Sequence, residues 1–137
     1  MKLLVTGGLG FIGSNFILKA LESNENLKII NIDDELHGSN HKNLDSVNNS
    51  NRCKFVKGNI NDSELIKKLV SNCDVVVNFA AESHVDRSIS NAKPFIDSNI
   101  MGTFSILLAI KEYKKKLIHI STDEVFGSLE TKSASEN

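Results

Sequence analysis

The chain alternates short apolar runs with longer stretches in which apolar residues return every three or four positions. Residues 2–5 form the first run, which Thr6-Gly7-Gly8 cuts off. From about Gly10 onward, Phe11, Ile12, Phe16, Ile17 and Leu21 recur at helical spacing and predict a helix. Residues 27–32 alternate too little for a half-exposed strand. They read as a strand buried on both faces, as strands of parallel sheets are. Residues 37–52 are polar and rich in Asn and Ser, which predicts a loop with one helical turn around Leu44 and Val47. A third short strand follows at 54–56. Asp62 or Ser63 can cap a helix through Val70, with Leu65, Ile66 and Leu69 on its inner face. Residues 74–79, centred on Val75-Val76-Val77, are the clearest strand.

Pro94 suits the first turn of the next helix, predicted to run to about Tyr113. Its apolar residues, among them Ile96, Ile100, Phe104, Leu107 and Leu108, cover more than one face. It is therefore expected to lie between the sheet and something else, either further chain or a partner subunit. Lys114-Lys115-Lys116 ends it, where positive charge favours the helix dipole. Residues 117–120 make a fifth strand, and 127–137 are polar without periodicity. Strands alternating with helices predict an α/β fold of Rossmann type. That fold is a doubly wound, three-layer parallel sheet of about five strands with right-handed crossovers.

Composition narrows this picture. The 137 residues suffice for one domain with a real core. Sixteen basic and seventeen acidic residues give a net charge of -1, so no nucleic acid or membrane surface is expected as a partner. The opening apolar run is too short for a signal peptide, and no stretch approaches the roughly 18 apolar residues of a membrane span. Cys53 and Cys73 are too few for a metal cluster or a disulfide framework. They are expected to be reduced, structural thiols of a cytoplasmic protein, and no metal is expected.

Two motifs carry chemistry. The first is Thr6-Gly7-Gly8-Leu9-Gly10-Phe11-Ile12-Gly13, with glycines at 7, 10 and 13 between a strand and a helix. Gly7 permits a tight turn, Gly10 lets a pyrophosphate approach the backbone, and Gly13 lets the helix pack close to the strand. The anion then rests on free N–H groups at the helix's positive end. Asp33 lies twenty residues after Gly13, at the end of the second strand. Its carboxylate can accept both ribose hydroxyls of NAD and would repel the 2′-phosphate of NADP. The expected cofactor is NAD. The second motif is Ser121-Thr122-Asp123-Glu124-Val125, at the exit of the fifth strand. Two adjacent carboxylates and a hydroxyl there supply an acid, a base and a partner for a sugar hydroxyl. Consecutive strand residues point to opposite faces, so the backbone must turn at Asp123 or Glu124 for both to reach one sugar. Burial and the neighbouring charge are expected to keep Asp123 protonated.

Four segments together resemble the extended short-chain dehydrogenase/reductase family, and within it the dTDP-glucose 4,6-dehydratase group. They are Thr6 to Gly13, Asn78 to Ile89, Asn99-Ile100-Met101-Gly102-Thr103, and Ser121 to Gly127. The resemblance runs in register over nearly the whole chain. It implies that Phe11 and Ile12 lie against the pyrophosphate and that Asp33, Asp34, Glu35 and Leu36 surround the adenosine ribose. It places Asn59 and Ile60 on the adenine, has Phe79, Ala80, Ala81 and Ser83 line the cofactor, and brings Ser98, with Asn99 beside it, near the nicotinamide half. Ser83 and Thr122 would also hold the sugar nucleotide, and Thr122, Asp123 and Glu124 would be catalytic. Asn59 stands where the family usually has Asp, and Asp34-Glu35-Leu36 replaces a usual Lys-Leu-Thr, adding negative charge near the cofactor. Glu82, His84, Asp86 and Arg87 suit a local charge network at least as well as direct chemistry.

The implied reaction is dehydration of dTDP-glucose to dTDP-4-keto-6-deoxy-glucose, by a protein that is a homodimer when full length. The family's Tyr-x-x-x-Lys pair is absent, since Tyr113 is the one tyrosine and Leu117 stands four positions on. Residues 1–137 are accordingly expected to be the NAD-binding domain of a longer chain, inactive by themselves. Two other readings remain: a UDP- or GDP-sugar 4,6-dehydratase or epimerase, and a noncatalytic NAD-binding module.

Overall fold

The computed structural model describes residues 1–48 and 50–127. Five parallel strands form one sheet: β1 (Lys2–Thr6), β2 (Lys28–Asp33), β3 (Cys53–Lys57), β4 (Val75–Asn78) and β5 (Lys116–His119). Their order is β3-β2-β1-β4-β5, so chain order reverses across β1 and opens a crevice at the strands' C-terminal ends. Register is continuous: Leu4 lies opposite Ile30 on one side and Val76 on the other.

Side chains leave successive strand positions on opposite faces, and the two faces build two cores. Leu4, Ile30, Ile32 and Val76 point to one layer, where Ile66 and Val70 of α2 (Ser63–Ser71) meet them. Leu3, Val5, Ile29 and Val77 point to the other, packed against Ile17 and Leu21 of α1 (Phe11–Ser23). Burying each such aliphatic side chain contributes about 1.5–3 kcal/mol. The expected three layers are present. α2 starts where the sequence placed its cap, with Asp62 Oδ1 accepting from Leu65 N at 3.0 Å. Leu44 is buried at the end of a single 3₁₀ turn, His41–Leu44, inside the polar loop.

After β4 the chain forms a short helix, α3 (Val85–Ser90), which the sequence did not suggest. A long helix follows in three joined parts: α4 (Lys93–Phe95), a π-helical stretch (Ile96–Gly102) and α5 (Thr103–Tyr113). Ile106 and Ala109 face the core, and Gly102 packs on Ile60. Ile96, Ile100, Met101, Phe104, Leu107 and Leu108 are all exposed, so the expected second layer over this helix is not among the described residues. No helix among them is long and apolar enough to cross a membrane. Cys53 and Cys73 are free, and burial pushes both thiols up from their ordinary pKa.

Candidate active site

The candidate residues gather at the C-terminal ends of the strands. Gly7 leaves β1 at φ +68°, a left-handed conformation that disfavours any side chain. A Cβ there would also meet the Ala80 backbone at 2.7 Å, and one on Gly13 would lie 2.4 Å from Gly7 O. The loop and the start of α1 are therefore pressed together, with Gly10 as N-cap in extended backbone (φ -70°, ψ 169°) and no capping side chain. The first N–H groups of α1 are left for an incoming anion. Phe11 and Ile12, exposed at 80% and 63%, present apolar surface at that helix end.

Asp33 is buried beside this loop. Its Oδ2 accepts from Leu9 N at 3.0 Å, and its Oδ1 accepts from Glu35 N at 2.9 Å and Ser39 Oγ at 2.6 Å. A carboxylate offers about four acceptor positions, so in this state one remains for a ribose hydroxyl, and Ser39 must yield for a second. The next two acids are already paired. Asp34 Oδ2 accepts from Asn59 Nδ2 at 2.7 Å, while Glu35 bridges Lys57 and His41. Of the extra negative charge seen in the sequence, that of Glu35 is thus matched by Lys57, and Asp34 is hydrogen-bonded by a neutral amide. Lys57 first, then His41, holds the Glu35 carboxyl below its ordinary pKa. Leu36 is exposed and Ile60 is buried under Gly102. Asn59 uses its own Oδ1 to accept from Asn61 N at 2.8 Å, which leaves that oxygen one lone pair for an adenine.

Past β4, Phe79 N donates to Thr6 O at 3.1 Å, and Ala80 N donates to Thr6 Oγ1 at 3.2 Å. The Phe79 ring leans on Phe16 of α1 at 5.2 Å. Ala81 and Ser83 are exposed along the crevice. The intervening Glu82 is clamped through its main chain: its N donates to Asn99 Oδ1 at 2.8 Å and its O accepts from Asn99 Nδ2 at 2.9 Å. Asn99 stands in the π-helical stretch next to half-buried Ser98. π-turns often mark functional sites, and this one fixes the loop that carries Ser83. His84 stacks on His37 from the loop after β2, with ring centroids 5.1 Å apart. Among the described residues these main-chain and ring contacts stand where the sequence suggested a charge network.

The acidic motif leaves β5 beside β4, since Ile120 N donates to Asn78 O at 3.1 Å. The turn required of the backbone is there: Asp123–Phe126 is a 3₁₀ turn. Thr122 Oγ1 caps it, accepting from Glu124 N at 3.4 Å and donating to Glu124 Oε2. The expected burial of Asp123 is not seen. Residues 121–127 are all exposed, because β5 is the sheet edge and no described element covers its exit.

Sequence reasoning missed four residues that support the site. Thr6 and Asn78 are fully buried, and Thr6 Oγ1 donates to Asn78 Oδ1, whose amide nitrogen meets His119 Nδ1 at 3.1 Å. Their signal was available: polar residues inside otherwise apolar strands must find partners. Asn43 Nδ2 donates to Leu9 O at 2.9 Å and Ser39 holds Asp33, but in a polar loop neither stands out.

The glycine cradle, the free N–H groups and the buried acid fit a dinucleotide. The GDP-mannose 4,6 dehydratase family model matches residues 4–137. A dTDP-glucose 4,6-dehydratase of Mycobacterium tuberculosis is 45% identical over 130 residues, covering 95% of this chain and 39% of that protein. A dTDP-D-glucose 4,6-dehydratase of Dictyostelium discoideum is 44% identical, covering 93% and 30%. Among solved structures, a dTDP-glucose 4,6-dehydratase from Streptomyces venezuelae with NAD bound superposes at TM-score 0.90 and 38% identity, covering 98% of this chain and 43% of that one. A UDP-glucose-4-epimerase from Stenotrophomonas maltophila with NAD bound superposes at 0.85 and 27%, covering 99% and 41%. The chain spans 39% of the length of the Mycobacterium relative.

Proposed function

This chain belongs to the GDP-mannose 4,6 dehydratase family, and from that premise we propose that residues 1–137 are the NAD-binding part of an NAD-dependent sugar-nucleotide 4,6-dehydratase. Its substrate is dTDP-glucose, and its products are dTDP-4-keto-6-deoxy-glucose and water. The observation that carries this reading is the 3₁₀ turn after β5. It sets Thr122, Asp123 and Glu124 together at the same sheet end as the glycine loop.

Gly7, Gly10, Phe11, Ile12 and Gly13 hold the pyrophosphate, and Asp33 to Leu36 with Asn59 and Ile60 hold the adenosine. Phe79 to Ser83 and Ser98 position the nicotinamide. Bound NAD⁺ supplies the hydride acceptor for oxidation at C4 and, once reduced, the donor that returns hydride to C6. Thr122 hydrogen-bonds the C4 oxygen and orients the ring. Glu124 takes the C5 proton, which the C4 ketone has acidified. Asp123 gives its proton to the C6 hydroxyl, which leaves as water. A proton then returns to C5 as C6 is reduced. The Tyr-x-x-x-Lys base for the C4 hydroxyl lies in the longer polypeptide. The exposed apolar side of the long helix supports a homodimer, and free thiols support a cytoplasmic location.

The test is the intact natural protein given dTDP-glucose and NAD⁺. The expected product is a nucleotide sugar lighter by one water. A C4 epimer of unchanged mass, or binding without turnover, overturns the reading. In Asp123→Asn, oxidation should outrun elimination, so reduced nicotinamide accumulates transiently by absorbance. Its failure to accumulate reassigns Asp123.

A further inference from the structure

The loop after Asp33 carries an acid whose side-chain partners are a lysine and a histidine. Glu35 takes a left-handed backbone conformation (φ +57°) and donates its N–H to Asp33 Oδ1 at 2.9 Å. Its carboxylate is closed between two side chains: Oε2 on Lys57 Nζ and Oε1 on His41 Nε2. His41 is itself anchored, edge-on to Phe55 of β3 at 5.0 Å. Lys57 is the register partner of Asp33 in the β2–β3 ladder, and the next residue's N–H, Gly58, donates to Asp33 O at 3.0 Å. A lysine therefore stands directly beside the acid that reads the ribose.

That placement is a conflict in the sequence. An ammonium next to the ribose 2′ position is the chemistry that attracts a 2′-phosphate, whereas Asp33 repels one. We propose that Glu35 is a specificity-determining residue that withholds Lys57 from the ribose 2′ position and so secures the preference for NAD over NADP. This deepens the dinucleotide reading and rests on it. Asp34, whose Oδ2 accepts from Asn59 Nδ2 at 2.7 Å, makes no ion pair with Lys57 and acts on it through charge alone, behind Glu35. The pairing is reciprocal: Glu35 is the first cause of the raised Lys57 pKa, as Lys57 is of the lowered Glu35 pKa. With Glu35 neutralised, Lys57 gains a free charge within reach of the 2′ position.

The experiment titrates NAD⁺ and NADP⁺ separately against the intact natural protein and its Glu35→Gln and Glu35→Gln/Lys57→Met variants. In Glu35→Gln the ratio of NAD⁺ to NADP⁺ affinity is expected to fall by up to about fivefold, the upper end for an exposed charge pair. The effect should shrink in ~1 M salt, where the screening length is about 3 Å. The double variant should restore the original ratio, because the lysine that does the attracting is gone. An unmoved ratio in Glu35→Gln overturns the proposal. So does a shifted ratio that the double variant fails to restore. If the unaltered protein binds neither dinucleotide, the proposal falls together with the dinucleotide reading. If it binds NAD⁺ and the ratio does not move, only the proposal falls.

Discussion

Asp33 Oδ2 accepts the Leu9 main-chain N–H at 3.0 Å, so the acid we propose for the ribose also ties down the glycine loop. The two functions of the fingerprint are mechanically one. Asp33→Ala should therefore lose more than a ribose contact. It strips the acceptor from Leu9 N, Glu35 N and Ser39 Oγ. Buried donors left unpaired cost about 1–3 kcal/mol each. Urea unfolding should show a loss of at least about 1–3 kcal/mol, with NAD binding abolished. A variant of unchanged stability would mean that the loop is held from elsewhere.

Thr6 provides a second test, inside the sheet. Its buried hydroxyl donates to buried Asn78 Oδ1 across the β1–β4 pair and accepts from half-buried Ala80 N, just past β4, at 3.2 Å. Thr6→Val keeps shape and β-branching but leaves Asn78 Oδ1 and Ala80 N without that partner. The expected destabilisation is about 1–3 kcal/mol by urea unfolding. NAD affinity should drop as well, since Ala80 belongs to the segment proposed to line the nicotinamide. Loss of stability with unchanged affinity would separate the two roles.

Most of the fold is legible in the sequence because parallel strands are buried on both faces. Val75-Val76-Val77 and Ile29-Ile30 announce themselves as runs, and Asp33 is legible because it sits where such a run stops. α3 was not legible. Val85-Asp86-Arg87-Ser88-Ile89-Ser90 is too short and too polar to carry a helical period. The π-helical stretch has no signature in apolar spacing either, since it changes hydrogen-bond register and not residue type. Within the site, the glycines and the Thr122-Asp123-Glu124 turn follow from local chemistry. The exposure of Asp123 and the Asn99 clamp on Glu82 depend on which elements meet in space, which spacing along the chain does not encode.

The helix end at Lys114 is strained in a way that can be relieved. Lys114 adopts left-handed backbone (φ 52°, ψ 44°) as the cap of α5. A side chain there costs about 1–2 kcal/mol relative to the right-handed conformation, and glycine escapes most of this. Glycine also makes the unfolded chain more flexible, which offsets part of the gain. Lys114→Gly should accordingly stabilise the protein by about 0.5–1 kcal/mol, read as a raised midpoint in thermal or urea unfolding. A lowered midpoint would show that the lysine side chain contributes more than its backbone strain costs.

The Glu35–Lys57 pair predicts a pH window. Glu35 has a folded pKa below its ordinary 4.5, chiefly through Lys57, so its contribution is present above pH 4.5 and is lost as pH falls through the depressed value. Lys57 has a folded pKa above its ordinary 10.5, chiefly through Glu35. Its contribution is present below pH 10.5 and is lost as pH rises through the raised value. Both signs give one window, between about pH 4.5 and 10.5, in which the Glu35–Lys57 pair is fully charged and the native protein should exceed Glu35→Gln in stability. Lys57 is exposed and Glu35 only half-buried, so the margin should be small and should narrow with salt. Unfolding midpoints of the two proteins, measured from pH 3 to pH 11, should converge at the acid end first for Glu35. A gap that persists below the depressed Glu35 pKa would show that the stabilisation does not come from the charge of Glu35.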